Sequence, residues 1–482
     1  MKKLINKKIS IGYLFFILPL FFFLFIRYAN HVDDIWFLLA HGEYVVKHGI
    51  PHTDFLTIHQ NLHFVMQQWA FSTIFYLIYH YLGSIGVNIV LGIVNVLILF
   101  FLYKLCMVLS KNNKYFSCIM ASIIDLLLEL NFIIPRPQII SLLLLTTSLY
   151  LLEDFYFNNS KKIYYLPLIS ILLINFHASI WPMLFVFCLP FLVEFIYLYF
   201  KKKDKRLFKL ILIMFISIII AFINPYGIEA LLYSFNSYGY TLINKSIAEM
   251  HGFTLNFEYH SFAYTSILAL LVIIVNIVFL IKNYKKYPIH YYFFLVGLSL
   301  MAILNLRNLS FLFIGTLPFI VLGFKRKINY KIPIKIYLIP LLLILIIYGY
   351  NCFQEKYTLK NTKVDKIVNY LDKHTDKNIV LFTCFNEGPY FEYNGYKVYI
   401  DSRAEVFLKK NNKKEDIFTE YYNVYYDNID YDKFLKKYNF THLEVENSLK
   451  FYNYLKKNSE YKQVFKQGNI FLFERKDYSK KG

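Results

Sequence analysis

Apolar runs recur along the first 350 or so residues and constrain the fold more than any other feature. They lie at approximately 9–26, 87–109, 116–134, 138–157, 163–176, 179–200, 207–223, 261–282, 288–304, 309–323 and 334–352, which makes about eleven candidate spans. A helix needs roughly 20 apolar residues to cross a bilayer; several of these runs are shorter, so their ends are soft. Of the 482 residues, 57% are hydrophobic and 17% charged. An ordinary soluble domain carries about 25% charged residues. So few charges cannot cover one large globule, whereas lipid can cover a polytopic bundle. The five cysteines (Cys106, Cys118, Cys188, Cys352, Cys384) show no CxxC or zinc-type spacing and read as small core residues.

The 52 Lys and Arg against 32 Asp and Glu leave a net charge of +20, which in a soluble chain would point to nucleic acid. Here the basic residues cluster at junctions. Lys111-Asn-Asn-Lys114, Lys161-Lys162, Lys201-Lys-Lys-Asp-Lys-Arg206, Lys282-Asn-Tyr-Lys-Lys286 and Lys325-Arg-Lys327 fall at every second one, which the positive-inside rule assigns to the cytoplasm. Lys2, Lys3, Lys7 and Lys8 precede the first run, and no small-x-small cleavage site follows it, so that run is read as a crossing with the N-terminus cytoplasmic. The intervening junctions then face outward. They carry Asp33-Asp34, Arg136-Pro-Gln138, Asn175-Phe-His177, Asn224-Pro-Tyr-Gly227 and Asn305-Leu-Arg307. This count requires Trp69–Leu82, about 14 residues rich in Tyr and Trp, to lie in the interface rather than span it.

Beyond Phe353 the composition turns mixed and polar. Helix-like patterns at Val364–Leu371, Asp416–Tyr426 and Tyr431–Tyr438 alternate with strand-like ones at 379–383, 397–400, 463–465 and 470–473. The expected organisation is a transmembrane domain over 1–352, with a first outer loop of about 27–86 bearing interfacial helices, and an extracytoplasmic α/β domain over 353–482. No GxGxxG, Walker A, GxSxG or HExxH motif is present.

Chemistry concentrates on the outer side. Asp33 and Asp34 follow the first span directly, before a helix-like stretch from Trp36 to Lys47. A carboxylate at the membrane surface suits a general base that takes the proton of an acceptor hydroxyl, one acid acting and the other supporting it. A helix cap is the plainer alternative. Six of the 13 histidines (His31, His41, His48, His52, His59, His63) lie in the same loop, without a helical HxxxH face. No metal ligand set is assigned; a divalent ion carried by Asp33, Asp34 and a histidine is left open. Asp125 and Glu129, spaced i, i+4, read as a buried pair for Arg136 or as the polar wall of a cavity. Arg136, Gln138, His177, Arg307, His41 and His251 are candidates for binding an anionic substrate, with Lys245 and Glu249 nearby in sequence.

The segments Asp33-Asp-Ile-Trp-Phe-Leu-Leu-Ala-His-Gly42, Gly49-Ile-Pro-His-Thr-Asp54, Gln68-Trp69, Arg136-Pro-Gln138, Asn175-Phe-His177, Asn224-Pro-Tyr-Gly227, Arg307 and Tyr399-Ile-Asp-Ser-Arg-Ala-Glu405 run along nearly the whole chain. In these the sequence resembles a family of bacterial polytopic membrane proteins in the GT-C glycosyltransferase superfamily. The resemblance implies a GT-C-like bundle, a catalytic acid in the first outer loop (Asp33 or Asp34) and a lipid-phosphate-linked sugar donor used on the extracytoplasmic side. Two departures stand out: Gln138 replaces the Asp or Glu that many sugar-transferring relatives carry after Arg-Pro, and the Trp-Trp-Asp motif of oligosaccharyltransferases is absent. The expected function is transfer of a sugar from a polyprenyl-phosphate donor to a glycan, lipid or protein acceptor of the cell envelope. Membrane lipids are the expected surroundings, and no nucleic-acid partner is expected. The doublet and Arg136 are expected to share one exterior pocket, and Asp401 with Arg403 to form a structural pair at a strand end. The alternatives are a non-catalytic scaffold that keeps the bundle, or a lipid or solute transporter.

Overall fold

The computed structural model describes residues 8–10, 19, 34–237, 242–243, 250–254, 260–323, 331–333, 359, 361 and 363–478. The chain divides into two compact units. The larger is Met1–Asn30, Ile85–Ser234 and Tyr240–Tyr357; the smaller is His31–Ser84, Phe235–Gly239 and Thr358–Gly482. The segment His31–Ser84 is thus grouped with the C-terminal segment rather than with the helices that flank it in sequence.

Helix α1 (Ile35–His48) and the start of α2 (Trp69–Leu109) belong to the smaller unit. Helix α2 breaks at Gly83, whose φ of 61° and ψ of −158° favour a residue without Cβ. The break separates Trp69–Leu82 from the run at 87–109, and the division between the units falls beside it.

The larger unit continues with α3 (Lys114–Asn131), α4 (Gln138–Asn158), α5 (Leu166–Phe176), α6 (Met183–Lys202), α7 (Arg206–Ile220), α8 (Ile228–Ser237), α9 (His260–Asn283), α10 (Ile289–Leu304) and α11 (Leu309–Gly323). Every apolar run from 87–109 to 309–323 coincides with a helix; those at 9–26 and 334–352 lie outside the described residues, apart from 9, 10 and 19. Among the described residues, five helices are long and apolar enough to cross a membrane, and α10 is a shorter apolar one. Helix α11 packs on α3, α4, α9 and α10, while α6 packs on α4, α7 and α10. Large apolar side chains such as Phe215, Ile219, Leu271 and Ile281 stay exposed on α7 and α9, as expected of surfaces that meet lipid rather than water.

The two ends of α4 gather different junctions. At its C-terminus, Lys162 reaches Asp154 (3.0 Å), and Arg206 donates to the Tyr156 carbonyl at 2.6 Å. At its N-terminus, the Ser141 hydroxyl meets His177 Nδ1 at 2.8 Å, and Asn175 beside it donates to the Ile223 carbonyl at 2.9 Å. Strands β1 (Lys8–Ser10) and β2 (Lys331–Pro333) pair antiparallel, which joins the N-terminal basic segment to the chain just after Lys325-Arg-Lys327.

The smaller unit is built on a sheet of β3 (Leu381–Phe382), β4 (His442–Glu446), β5 (Tyr461–Gln467) and β6 (Ile470–Arg475) in the order β3-β4-β6-β5. Strands β3 and β4 are parallel; the other pairs are antiparallel. Helices α12 (Asp365–His374), α13 (Gly388–Tyr393), α14 (Ile417–Tyr425) and α15 (Tyr431–Tyr438) accompany it. Val364, Ile367, Val368 and Leu371 pack with Leu381, Val398, Ile470 and Leu472 in its core. The strand expected at 397–400 is reduced to bridges at Val398, which pairs with Leu381 on one side and with Thr57 on the other. Ile58 N–H donates to the Val398 carbonyl (2.9 Å), and Val398 N–H to that of Leu56 (3.2 Å), so the first loop extends the sheet edge.

Candidate active site

Asp34 stands at the N-cap position of α1, yet its φ of −58° and ψ of −23° are already helical and its side chain makes no capping bond. Its Oδ1 instead accepts a hydrogen bond from the Ser402 hydroxyl at 2.7 Å. The plain capping role is therefore not the one this carboxylate plays. Asp33, the other half of the doublet, lies outside the described residues, as do His31, Lys245 and Glu249.

Ser402 is held by its neighbours on either side. Arg403 donates from its backbone N–H to Asp401 Oδ1 (2.7 Å), and its guanidinium grips both Asp401 oxygens, Nε at 2.9 Å and Nη2 at 2.5 Å. Its Nη1 reaches Asp54 Oδ1 at 2.7 Å and its Nη2 lies 3.5 Å from Glu392. Asp54 also accepts from the Thr57 N–H (3.1 Å) and hydroxyl (2.7 Å). The expected Asp401–Arg403 pair is thus one side of a buried network that also takes in Asp54 and His41 from the segment His31–Ser84.

The charges in this network are set by burial and by one another. Burial would discharge Arg403, but Asp401, Asp54 and Glu392 hold it well above the usual arginine range. Glu392 is pushed well above the usual carboxylate range, first by burial and then by the Asp401 charge. His41, expected at the substrate, has no exposed surface. Its Nε2 lies 3.1 Å from Arg403 Nη1, and since guanidinium can only donate, this nitrogen accepts. Burial, and then the Arg403 charge, pull the His41 pKa well below its usual value, so the ring is neutral. His59 Nε2 bonds the Tyr399 carbonyl at 2.8 Å. Both histidines are committed to protein partners, and among the described residues no group of three His, Cys, Asp or Glu is placed to hold a metal ion.

In the larger unit Arg136, Gln138 and His177 come together at the start of α4. Gln138 is its first residue and is buried, and His177 bonds Ser141 one turn further on. Burial, and then the Arg307 charge, pull the His177 pKa down to about 3, so this ring is neutral. Arg307 is set in a short turn by the Asn305 side chain, which accepts its N–H at 3.0 Å, and its Nη1 lies 4.0 Å from the Met250 sulfur. The His251 carbonyl accepts from Leu306 N–H at 3.0 Å, which puts His251 beside the same turn. Asn95 donates to Glu129, and Asp125 is fully buried.

Sequence reasoning passed over Ser402 and Glu392, and also a second buried set in the larger unit. His290 lies 3.7 Å from Glu153 and 3.4 Å from Glu194, and Tyr291 donates to Glu153 at 2.9 Å. The acids within otherwise apolar runs at 138–157 and 179–200 were the available signal for the last two.

Helices apolar and long enough to span a bilayer, followed by a small sheet domain, form an arrangement that solved structures share. The oligosaccharyltransferase of Archaeoglobus fulgidus tethered by a disulfide bond to an acceptor peptide superposes with a TM-score of 0.57 at 10% identity, over 90% of this chain and 68% of that one. The apo form gives 0.55 at 10% identity, over 90% and 69%. The archaeal enzyme with an inhibitory peptide and a dolichol-phosphate gives 0.53 at 9%, over 90% and 69%. No protein-family model and no curated protein sequence matches the chain.

Proposed function

We propose that the chain is an integral-membrane glycosyltransferase that moves a sugar from a polyprenyl-phosphate-linked donor to an acceptor outside the cytoplasm, a glycan, lipid or protein of the envelope. The observation that carries this reading is the fold likeness to enzymes solved with acceptor peptide and with dolichol-phosphate, joined to an Asp34 carboxylate oriented by a side-chain hydroxyl rather than used as a helix cap. Asp34, supported by Asp33, takes the proton of the acceptor hydroxyl. The freed oxygen bonds to the anomeric carbon as the bond from that carbon to the phosphate oxygen breaks, with inversion of the sugar centre. Polyprenyl phosphate leaves, its charge held by the Arg136 and Arg307 guanidinium groups, cations that can act without water, with the neutral His177 ring as a hydrogen-bonding contact. Gln138 and His251 line the same end of the bundle as substrate contacts, and His41 serves indirectly, beneath Arg403.

The transporter reading gains little from the buried Glu153–His290–Glu194 set. Glu153 and Glu194 stand near the C-terminal ends of α4 and α6, and His290 is the second residue of α10. That places the set toward one end of the bundle, whereas transporter sites sit at mid-depth.

The test is D34N in the full-length protein, assayed for transfer from the lipid-linked sugar fraction of the source cells to their envelope fraction. Loss of a general base lowers the rate by about 10²- to 10⁴-fold. A folded D34N protein with undiminished transfer would overturn the assignment of Asp34 as the base, and a folded wild-type protein that transfers no sugar while D34N keeps the cellular phenotype would favour the scaffold.

A further inference from the structure

We propose that Ser402, in the C-terminal segment, is a positioning residue for the Asp34 carboxylate, so that the C-terminal segment completes the catalytic acid rather than only binding substrate. This rests on the reading of Asp34 as the base. The Ser402 hydroxyl donates to Asp34 Oδ1 at 2.7 Å. A hydrogen bond to one oxygen restrains the carboxylate about its last bond and so biases the direction of its second oxygen. A base has to point at the proton it removes, and an error of about 1 Å in such a group costs about 100-fold in rate.

Ser402 can impose a direction only if it is itself rigid, and its surroundings make it so. The residues on either side, Asp401 and Arg403, are bound to each other through three hydrogen bonds, closing a turn with Ser402 at its tip. That turn is anchored to Asp54 and Glu392 through the same guanidinium. Its underside is pressed against the start of α13: a Cβ on Gly388 would come within 2.4 Å of the Ile400 carbonyl and 3.0 Å of Asp401 Cα. Asp401 and Arg403 are buried while Ser402 is partly exposed, so the one member of the turn that reaches Asp34 is also the one that faces outward. A hydroxyl needed only for local stability would have no reason to bridge residues 368 positions apart.

The experiment uses the full-length protein in proteoliposomes, with the tritiated lipid-linked sugar fraction of the source cells as donor. S402A is expected to lower kcat about 10- to 100-fold with KM for the donor unchanged. S402T, which keeps the hydroxyl, is expected to restore most of that loss. Because Ser402 acts through Asp34, the D34N/S402A double variant should be no slower than D34N alone. If S402A does not fold, S402C, of similar size and a weak donor, is read in its place. Wild-type kcat in S402A while D34N is inactive overturns the positioning role alone, as do losses that multiply in the double variant or appear in KM. Wild-type transfer by D34N overturns the base assignment and this role with it.

Discussion

At the scale of single residues, Arg403 carries the most consequence. It neutralises a buried acidic set, and removing one partner of such a set leaves uncompensated charge in the interior. R403A is expected to destabilise the protein by about 3–5 kcal/mol. R403K keeps the charge but not the planar fork that grips both Asp401 oxygens, and should recover only part of that loss. Thermal unfolding followed with a thiol-reactive dye reads both, because Cys106, Cys118, Cys188 and Cys384 are buried and free. His442 gives a pH signature. Burial pulls its pKa down to about 4, so between pH 6.5 and 4 the unfolded chain binds a proton that the folded one refuses. Stability therefore falls as pH drops through that window, by up to about 1.4 kcal/mol per pH unit for this residue, and is unaffected above it. H442Q should make the acid limb of a stability–pH curve shallower by that amount; an unchanged limb would remove His442 as its source. The Asp401–Arg403 pairing was readable because two opposite charges flank one residue within an otherwise apolar stretch. Ser402 was not: a single hydroxyl has no periodicity and no charge, and only the fold reveals that Asp34 is its acceptor.

At the scale of elements, the apolar helices were legible in sequence because each needs only a run of apolar residues, which lipid does not ask to be amphipathic. Helices α12, α14 and α15 fell where their periodicity put them, within a few residues. Strand β4, which pairs with both β3 and β6, was missed. Its sequence His442-Leu-Glu-Val-Glu446 alternates as a half-exposed strand should, but Glu444 is buried and accepts from the Cys384 N–H at 2.6 Å, so the polar positions do not mark a solvent face. The close approach of α1 to α2 was equally invisible. A Cβ on Gly42 would lie 2.1 Å from the Ser72 carbonyl oxygen and 2.5 Å from Tyr76 Cβ, backbone and near-backbone atoms that cannot swing aside. G42A should therefore cost about 1–3 kcal/mol, the usual penalty of overpacking. G49A serves as a control for crowding, since a Cβ there meets nothing within 4 Å and is opposed only by the φ of +83°. If G42A melts at the wild-type temperature, the two helices are not pressed together there.

At the scale of the whole molecule, the proposed chemistry depends on which side of the bilayer the acid-bearing loop and the C-terminal segment occupy, and charge is what decides that. The basic junctions at 158–162 and 202–206 are joined by Arg206 to the Tyr156 carbonyl, at the α4 end remote from Gln138. The pairing of β1 with β2 likewise joins the N-terminal lysines to the chain following Lys325-Arg-Lys327. Segments so connected are expected on one side, and the positive-inside rule predicts from their excess of lysine and arginine that this side is cytoplasmic. In a variant with Cys352 replaced by serine and the buried cysteines left in place, K203C should resist a membrane-impermeant maleimide in intact cells and react once they are permeabilised. K433C, on a residue whose side chain is 86% exposed in the C-terminal unit, should react without permeabilisation. The opposite pattern would turn Asp34 and Ser402 toward the cytoplasm, where the donor would have to present its sugar from the other leaflet, and transfer to envelope acceptors would be ruled out whatever D34N does to the rate.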